Sequence, residues 1–554
     1  MAVAEPVTLV LGPALRYVDE TTVTVWVETS GPVEISVLGR SARTFAAEGH
    51  HYAIVVVDGL PPGSDLEYSV HLNATKVWPE PGDARPAPRV RTLSRDRDLE
   101  LVFGSCRDDR SVTEQAPLPG PGVDALEALS VALQAGERPL PDLMLLLGDQ
   151  IYADYHHESG IVDALHRTIG AKPRAEARTF DEYASIYRRS WGQADIRWLM
   201  ATVPSAMILD DHEVRDDWNV SATWRREVTA LPEWREQITG AGMAYWLYQH
   251  AGNLSPAALR EEGIWRALTA SPAGVEQLRQ FSLSLDEEAE GDGRYRLGYQ
   301  RDLGRSRLVV LDTRSSRVLE KGSRSMFSEP EWAIVEAGLR GDCEHLLVAT
   351  SVPLLLHRSQ HDAEAWNEAM CEGTLGSWVA RRSERIRRSG NLDQWAAFQT
   401  SFRRMVRVLG EVASGQRGSP PTTVLVLSGD VHHAYVAPLT FRSSAPVRSP
   451  VVQLVSSPFR NRLSARVRWW LRFAGSRPAR LAARLLARSA GVPDPPADWS
   501  VTPGPLFGNF VGSVTLEPNK ARVRLDRAEM RGGRPVLDLA HEELLPQGTH
   551  EPGE

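Results

Sequence analysis

The 554-residue chain is poor in cysteine, in long apolar runs and in excess charge of either sign. Three cysteines, Cys106, Cys343 and Cys371, are too few for a framework of disulfides, which excludes a small cross-linked scaffold. No apolar stretch approaches about 18 residues, so no transmembrane helix is read. Basic residues number 63 against 71 acidic, a net charge of −8, and that balance argues against a protein that coats nucleic acid. No internal repeat of fixed period is found. Residues 1–11 hold Glu5 but no Lys or Arg, so no export signal is read and a cytoplasmic location is expected. What remains is ordinary globular composition, 42% apolar and 24% charged.

The first 95 residues read as a β domain. Segments 22–27, 33–38, 52–57 and 66–72 alternate apolar and polar residues with period two, and turn residues separate them. The stretch from Gly59 to Val70 resembles the corner of a fibronectin type III-like sandwich. On that reading the Tyr68 hydroxyl returns to nearby backbone and Trp26 sits in the sandwich core. The unit is expected to be structural.

From residue 96 to 554 the pattern changes to α/β. Short apolar runs at 101–103, 143–147, 206–209, 308–311, 346–349, 424–427 and 451–455 suit strands buried on both faces. Stretches such as 123–133, 180–191 and 329–339 between them suit helices. Segments 511–517 and 521–528 flank Pro518-Asn519-Lys520 as a hairpin. In sheets of this kind ligands gather beyond the carboxyl ends of the strands.

Five strand ends carry polar clusters: Ser105-Cys106-Arg107, Asp149-Gln150-Ile151-Tyr152, Asp210-Asp211-His212-Glu213, Asp312-Thr313-Arg314 and Asp430-Val431-His432. Singly each has a plain structural explanation. Asp210-Asp211 can cap a helix, Asp312 and Arg314 can pair, and Cys106 can be a small buried apolar residue. Jointly they supply what a metal site needs, several ligands converging from different elements. Asp149 and Asp211 offer hard oxygens, and either can bridge two cations. The Tyr152 phenolate and Cys106 thiolate favour a high-charge transition metal, whereas oxygen ligands alone suit Ca²⁺, Mg²⁺ or Mn²⁺. Asp430 and His432 can complete the shells. His212, beside paired carboxylates, is placed to donate a proton.

These strand-end motifs, Gly104-Ser105-Cys106, Gly148-Asp149-Gln150-Ile151-Tyr152, Asp210-Asp211-His212-Glu213-Val214 and Gly429-Asp430-Val431-His432, resemble those of the PhoD-like alkaline phosphatases. That family is a branch of the calcineurin-like metallophosphoesterases. The resemblance covers roughly residues 99–530. It implies a four-layer α/β core, two packed β-sheets flanked by helices. It implies iron held by Cys106, Tyr152, Asp149 and His432, with calcium near Asp149, Asp211 and Asp430; Mg²⁺, Mn²⁺ or Zn²⁺ are alternatives. Arg107 would hold a phosphate oxygen, or be structural. The implied reaction is hydrolysis of phosphate esters by attack of a metal-bound hydroxide at a dinuclear site, with His212 stabilising the transition state or protonating the leaving oxygen. The substrate is a phosphate-ester small molecule or a phospholipid, and a phosphodiesterase acting at the same site is the alternative.

Between residues 460 and 488 the chain carries nine arginines and no acidic residue. Pro478 is expected to split this insertion, 460–489, into two helices. Arg480, Arg484 and Arg488 share one face, and Trp469-Trp470 lies nearby. The segment reads as a packing helix whose arginines are solvated or meet the acidic body, or as a peripheral contact for a membrane or another partner. His156-His157 and His361 are expected in solvated loops.

Overall fold

The computed structural model describes residues 6–109, 122–154, 176–287, 295–442 and 446–545. Ten strands occupy the N-terminal region: β1 (Leu9–Val18), β2 (Val23–Thr29), β3 (Glu34–Val37), β4 (Arg40–Arg43), β5 (Phe45–Ala47), β6 (His50–Val57), β7 (Asp65–Glu67), β8 (Val70–Leu72), β9 (Thr75–Trp78) and β10 (Arg89–Arg91). They form antiparallel sheets of order β1-β2-β6-β5 and β4-β3-β8-β9, with β10 paired to β7. Val23, Val25 and Val27 share a core with Ile35, Val37, Val70 and Leu72 of the facing sheet.

Two expectations for this region change. Trp26 is buried, but on the opposite face of β2 from the valines. It packs with Trp191 and Tyr248 of the following helices and donates to the Leu247 carbonyl at 2.9 Å. All seven residues of β2 are buried, so alternation alone cannot tell which face is the inner one. The Tyr68 hydroxyl donates not to nearby backbone but to the Ala201 carbonyl, at 2.6 Å, at the end of the Ala194–Thr202 helix. Both aromatic residues tie the β region to the α/β region.

The core holds two mixed sheets. The first contains β11 (Leu99–Gly104), β12 (Leu143–Leu146), β13 (Ser205–Met207), β21 (Phe510–Glu517), β22 (Lys520–Arg531) and β23 (Arg534–Leu545). Its order is β13-β12-β11-β21-β22-β23, with β11, β12 and β13 parallel. The second contains β14 (Tyr299–Leu303), β15 (Ser306–Val310), β16 (His345–Ala349), β17 (Thr423–Ser428), β18 (Tyr435–Phe441), β19 (Val451–Val455) and β20 (Ala497–Trp499). Its order is β14-β15-β16-β17-β19-β18-β20, with β15, β16, β17 and β19 parallel. The hairpin at Pro518-Asn519 joins β21 to β22, and β23 adds a strand that the sequence reading did not anticipate.

Side-chain alternation builds the layers. Leu101, Phe103, Leu143 and Leu145 of the first sheet meet Leu308, Leu347, Leu425 and Leu454 of the second in one shared core. The intervening residues point outward. Val102, Met144 and Leu146 pack with the Phe180–Trp191 helix, and Val348, Val424 and Val426 pack with Trp332, Phe402 and Met405. Each strand is therefore apolar on both faces, the condition that gives continuous apolar runs in sequence. The Phe180–Trp191 helix is bounded by a capping box, Thr179 to the Glu182 amide and Glu182 back to Thr179.

The basic segment forms two helices, Ala465–Ala474 and Arg477–Ser489. Pro478 lies in the first turn of the second helix, where its missing N–H costs nothing, and Ser476 caps it. His361 is not in a loop. It is buried in the Arg358–Cys371 helix against Phe402 and Trp499. His156 and His157 lie outside the described residues. Among the described residues no helix is long and apolar enough to cross a membrane.

Candidate metal centre

The parallel strands of both sheets end on one side, and their following loops converge there. Close backbone approach is built in. A Cβ at Gly148 would lie 2.5 Å from the Asp210 Cβ, and one at Gly429 would lie 2.2 Å from the Ser105 Oγ. The first contact joins two strand ends of one sheet; the second joins the two sheets. Four of the polar residues, Cys106, Asp149, Asp430 and His432, adopt left-handed backbone with φ between 53° and 64°. That conformation costs energy outside glycine, and such residues cluster at functional sites. The Glu213 carboxylate holds the loops together, accepting from the amides of Asp149 (3.1 Å), Gln150 (2.6 Å) and Asp210 (2.9 Å).

Asp149, Asp210, Asp211 and Asp430 each place one carboxylate oxygen within 4.8 Å of the others. Three come from the first sheet and one from the second. Asp149 Oδ1 and Asp210 Oδ2 are buried and accept no hydrogen bond. Burial of such oxygens is expensive unless a cation meets them. Burial, reinforced by Asp430 and Asp211 and opposed by Arg314, pushes Asp210 up to about 8. Asp430 is pushed up to about 6, again chiefly by burial. The donor set therefore fits a metal site.

Cys106, Tyr152 and His432 gather beside Asp149. The Cys106 thiol donates to Asp149 Oδ2 at 3.3 Å, and the Tyr152 hydroxyl lies 3.4 Å from His432 Nε2. Asn461, at the start of the basic segment, donates to the Tyr152 hydroxyl at 2.9 Å. Burial, then the charge of Asp149, pushes the Cys106 thiol well up; burial does the same to the Tyr152 phenol. Such groups ligate only a cation strong enough to displace their protons. Burial lowers His432 to about 3, which leaves a neutral imidazole suited to ligation.

His212 lies on the other side of Tyr152, with ring centroids 4.4 Å apart. A ring nitrogen lies within 4.8 Å of the Asp149 and Asp211 carboxylates, and Nδ1 is 2.7 Å from Asp154 Oδ1. Burial alone would lower its pKa, but Asp154, Asp149 and Asp211 outweigh that and raise it well above the ordinary value. Asp154 also accepts from the Asp216 amide, so its orientation is fixed.

A pairing of Arg314 with Asp312 is the plain structural explanation that the sequence offers. Arg314 points instead into the carboxylate cluster. It donates to Asp210 and Asp393, and its Nη2 lies 3.3 Å from Asp211 and 3.6 Å from Asp430. Asp312 is satisfied by Ser315 and Ser316 and by the amides of Arg314 and Ser315. Arg107 does the reverse. Its guanidinium is buried and bonded to Asp124 (2.8 Å), the Ser190 carbonyl and hydroxyl (3.0 and 2.9 Å) and Gln193 (2.6 Å). It has no donor left for a phosphate oxygen, so the structural alternative for Arg107 is the one its contacts favour. Sequence reasoning also passed over Gln394, whose amide donates to Asp430 Oδ2 at 2.6 Å, because nothing in its loop signals a site.

The family model of PhoD-like phosphatases matches residues 130–465, and the chain belongs to that family. A solved structure of PhoD is similar in fold, with 13% identity and a TM-score of 0.60, over 99% of this chain and 92% of that one. A purple acid phosphatase from yellow lupin seeds is also matched, at 10% identity and a TM-score of 0.42, over 93% of this chain and 71% of that one. Residues 6–90 match a domain family of unknown function, DUF7800. Among curated proteins none matches.

Proposed function

We propose that this PhoD-like phosphatase hydrolyses phosphate esters at a dinuclear centre formed by Cys106, Asp149, Tyr152, Asp211, Asp430 and His432. The observation that carries the reading is the convergence of four aspartates from both sheets, with buried oxygens of Asp149 and Asp210 that accept no hydrogen bond. Cys106, Tyr152, His432 and Asp149 would hold iron. Asp149, Asp211 and Asp430 would hold calcium or a similar hard cation, with Asp210 beside them. Bound there, cations would neutralise phosphate oxygens and acidify water.

The side chains supply the rest. The Asp149 carboxylate faces both halves of the centre and fixes their spacing. His212, held by Asp154 and kept cationic by three carboxylates, donates a proton to the leaving alcohol oxygen. Arg314 offsets negative charge among Asp210, Asp211 and Asp430 and opposes the burial that raises Asp210 and Asp430. Positioning and charge compensation of this kind dominate phosphoryl transfer. Residues 1–95, which we read as a fibronectin-like structural unit, supply none of the residues assigned here.

The test is hydrolysis of a chromogenic phosphate monoester beside the matching diester, in intact protein and in Asp149→Asn. A rate on either ester that vanishes in the variant supports the proposal, and the preferred ester decides between monoesterase and diesterase. An undiminished rate in the variant would remove Asp149 from the centre.

A further inference from the structure

The paired helices Ala465–Ala474 and Arg477–Ser489 are turned inside out. The second buries Ala487 beside Ala365 and Met370 of a neighbouring helix, while Leu481 and Leu485 are 63% and 58% exposed. The first turns Leu471 and Ala474 inward and leaves Trp469 and Trp470 66% and 56% exposed. Both tryptophan rings pack on Phe473, at 6.1 and 5.7 Å, so the outer aromatic residues form one cluster. A solvated surface helix would show the opposite pattern. An exposed apolar patch of this kind marks a surface that something covers.

The charge says what covers it. Arg484 turns inward to Asp362 (3.3 Å) and Asp494 (2.5 Å), and Arg488 pairs with Asp494 at 3.1 Å. Arg466, Arg468, Arg472, Arg477 and Arg480 meet no carboxylate at ion-pair distance among the described residues. Cationic side chains interleaved with tryptophan and leucine match an anionic lipid surface. The apolar groups enter the headgroup boundary, and the arginines reach phosphates from long flexible stems. A symmetric second copy on the same face would set arginines against arginines.

We propose that these two helices form a docking surface for an anionic bilayer. The surface adjoins the metal centre. Asn461 at its start holds the Tyr152 hydroxyl, and the Arg472 guanidinium lies 5.1 Å over Phe507, whose ring is 6.2 Å from His433. Docking stands on the geometry of the helices and does not depend on the catalytic reading.

The experiment is co-sedimentation of the full chain with phosphatidylcholine vesicles, with and without phosphatidylglycerol, at low and high salt. Binding is expected only with phosphatidylglycerol and only at low salt. Arg480→Glu and the double substitution Trp469→Ser, Trp470→Ser should each weaken it by about fivefold or more. Hydrolysis of a soluble ester and the thermal melt should stay as in the intact chain, which shows that the variants fold. No binding by the intact chain overturns the proposal, as does binding unchanged in both variants. A dimer that Trp469→Ser disrupts, without vesicle binding, also overturns it and assigns the face to a second copy.

Discussion

Around Asp149 the chain offers a thiol, a phenol and an imidazole. A few ångströms away, around Asp210, Asp211 and Asp430, it offers carboxylate oxygens met by an arginine and the Gln394 amide. The first half is a set of groups that burial keeps protonated or neutral, and on the proposed reading it becomes anionic only with a cation bound. The second half carries a permanent cation of its own in Arg314. The difference teaches that one half is left without a compensating cation of its own, while the other half has part of its charge compensated by the fold.

The largest expected effect comes from the residue shared by both halves. Asp149→Asn should lower the ester hydrolysis rate by about a thousandfold or more, and bound metal measured by elemental analysis should fall with it. Full metal content in that variant would break the picture of a shared ligand. His212→Ala should lower turnover by about a hundredfold with metal content retained, because its proposed task is proton transfer. Loss of metal along with activity would make His212 a ligand instead.

Arg314→Met addresses the second half alone. It leaves Asp210, Asp211 and Asp430 without their buried cation, and Asp393 with Arg317 as its remaining cation, which should cost about 3–5 kcal/mol of stability. Added Ca²⁺ should return part of that loss in a thermal melt. A melt indifferent to Ca²⁺ would mean that no cation enters the oxygen-only half. The smallest effect is expected at Tyr152→Phe. Activity should fall about tenfold, and a visible absorption band present in the iron-loaded intact protein should disappear. A band that survives the substitution would take iron away from the phenol.

The residues proposed for the centre that the sequence itself points to share one property. Cys106, Asp149, Asp211, Asp430 and His432 follow apolar runs directly, and a strand buried on both faces announces its own end. Gln394, Asp393 and Asn461 come from connections with no periodicity, so their arrival at the centre is a tertiary fact. For Arg107 the sequence leaves a phosphate contact and a structural role open, because the residue adjoins Cys106. The left-handed turn at Cys106 sends the next side chain away, toward Asp124 and Ser190. Trp26 misled because a strand wedged between two cores looks the same from either face.

Strand β11, which leads into Cys106, lies between β12 on one side and β21 on the other. Leu99 pairs with Leu516, so the second neighbour comes from the far end of the chain. Pairing on that edge of the Cys106 strand therefore requires that β21 has been synthesised. Contacts of such long range form slowly, and an open edge recruits other strands in the interval. The strand that leads into Cys106 is thus completed by a neighbour from about 400 residues further along the chain.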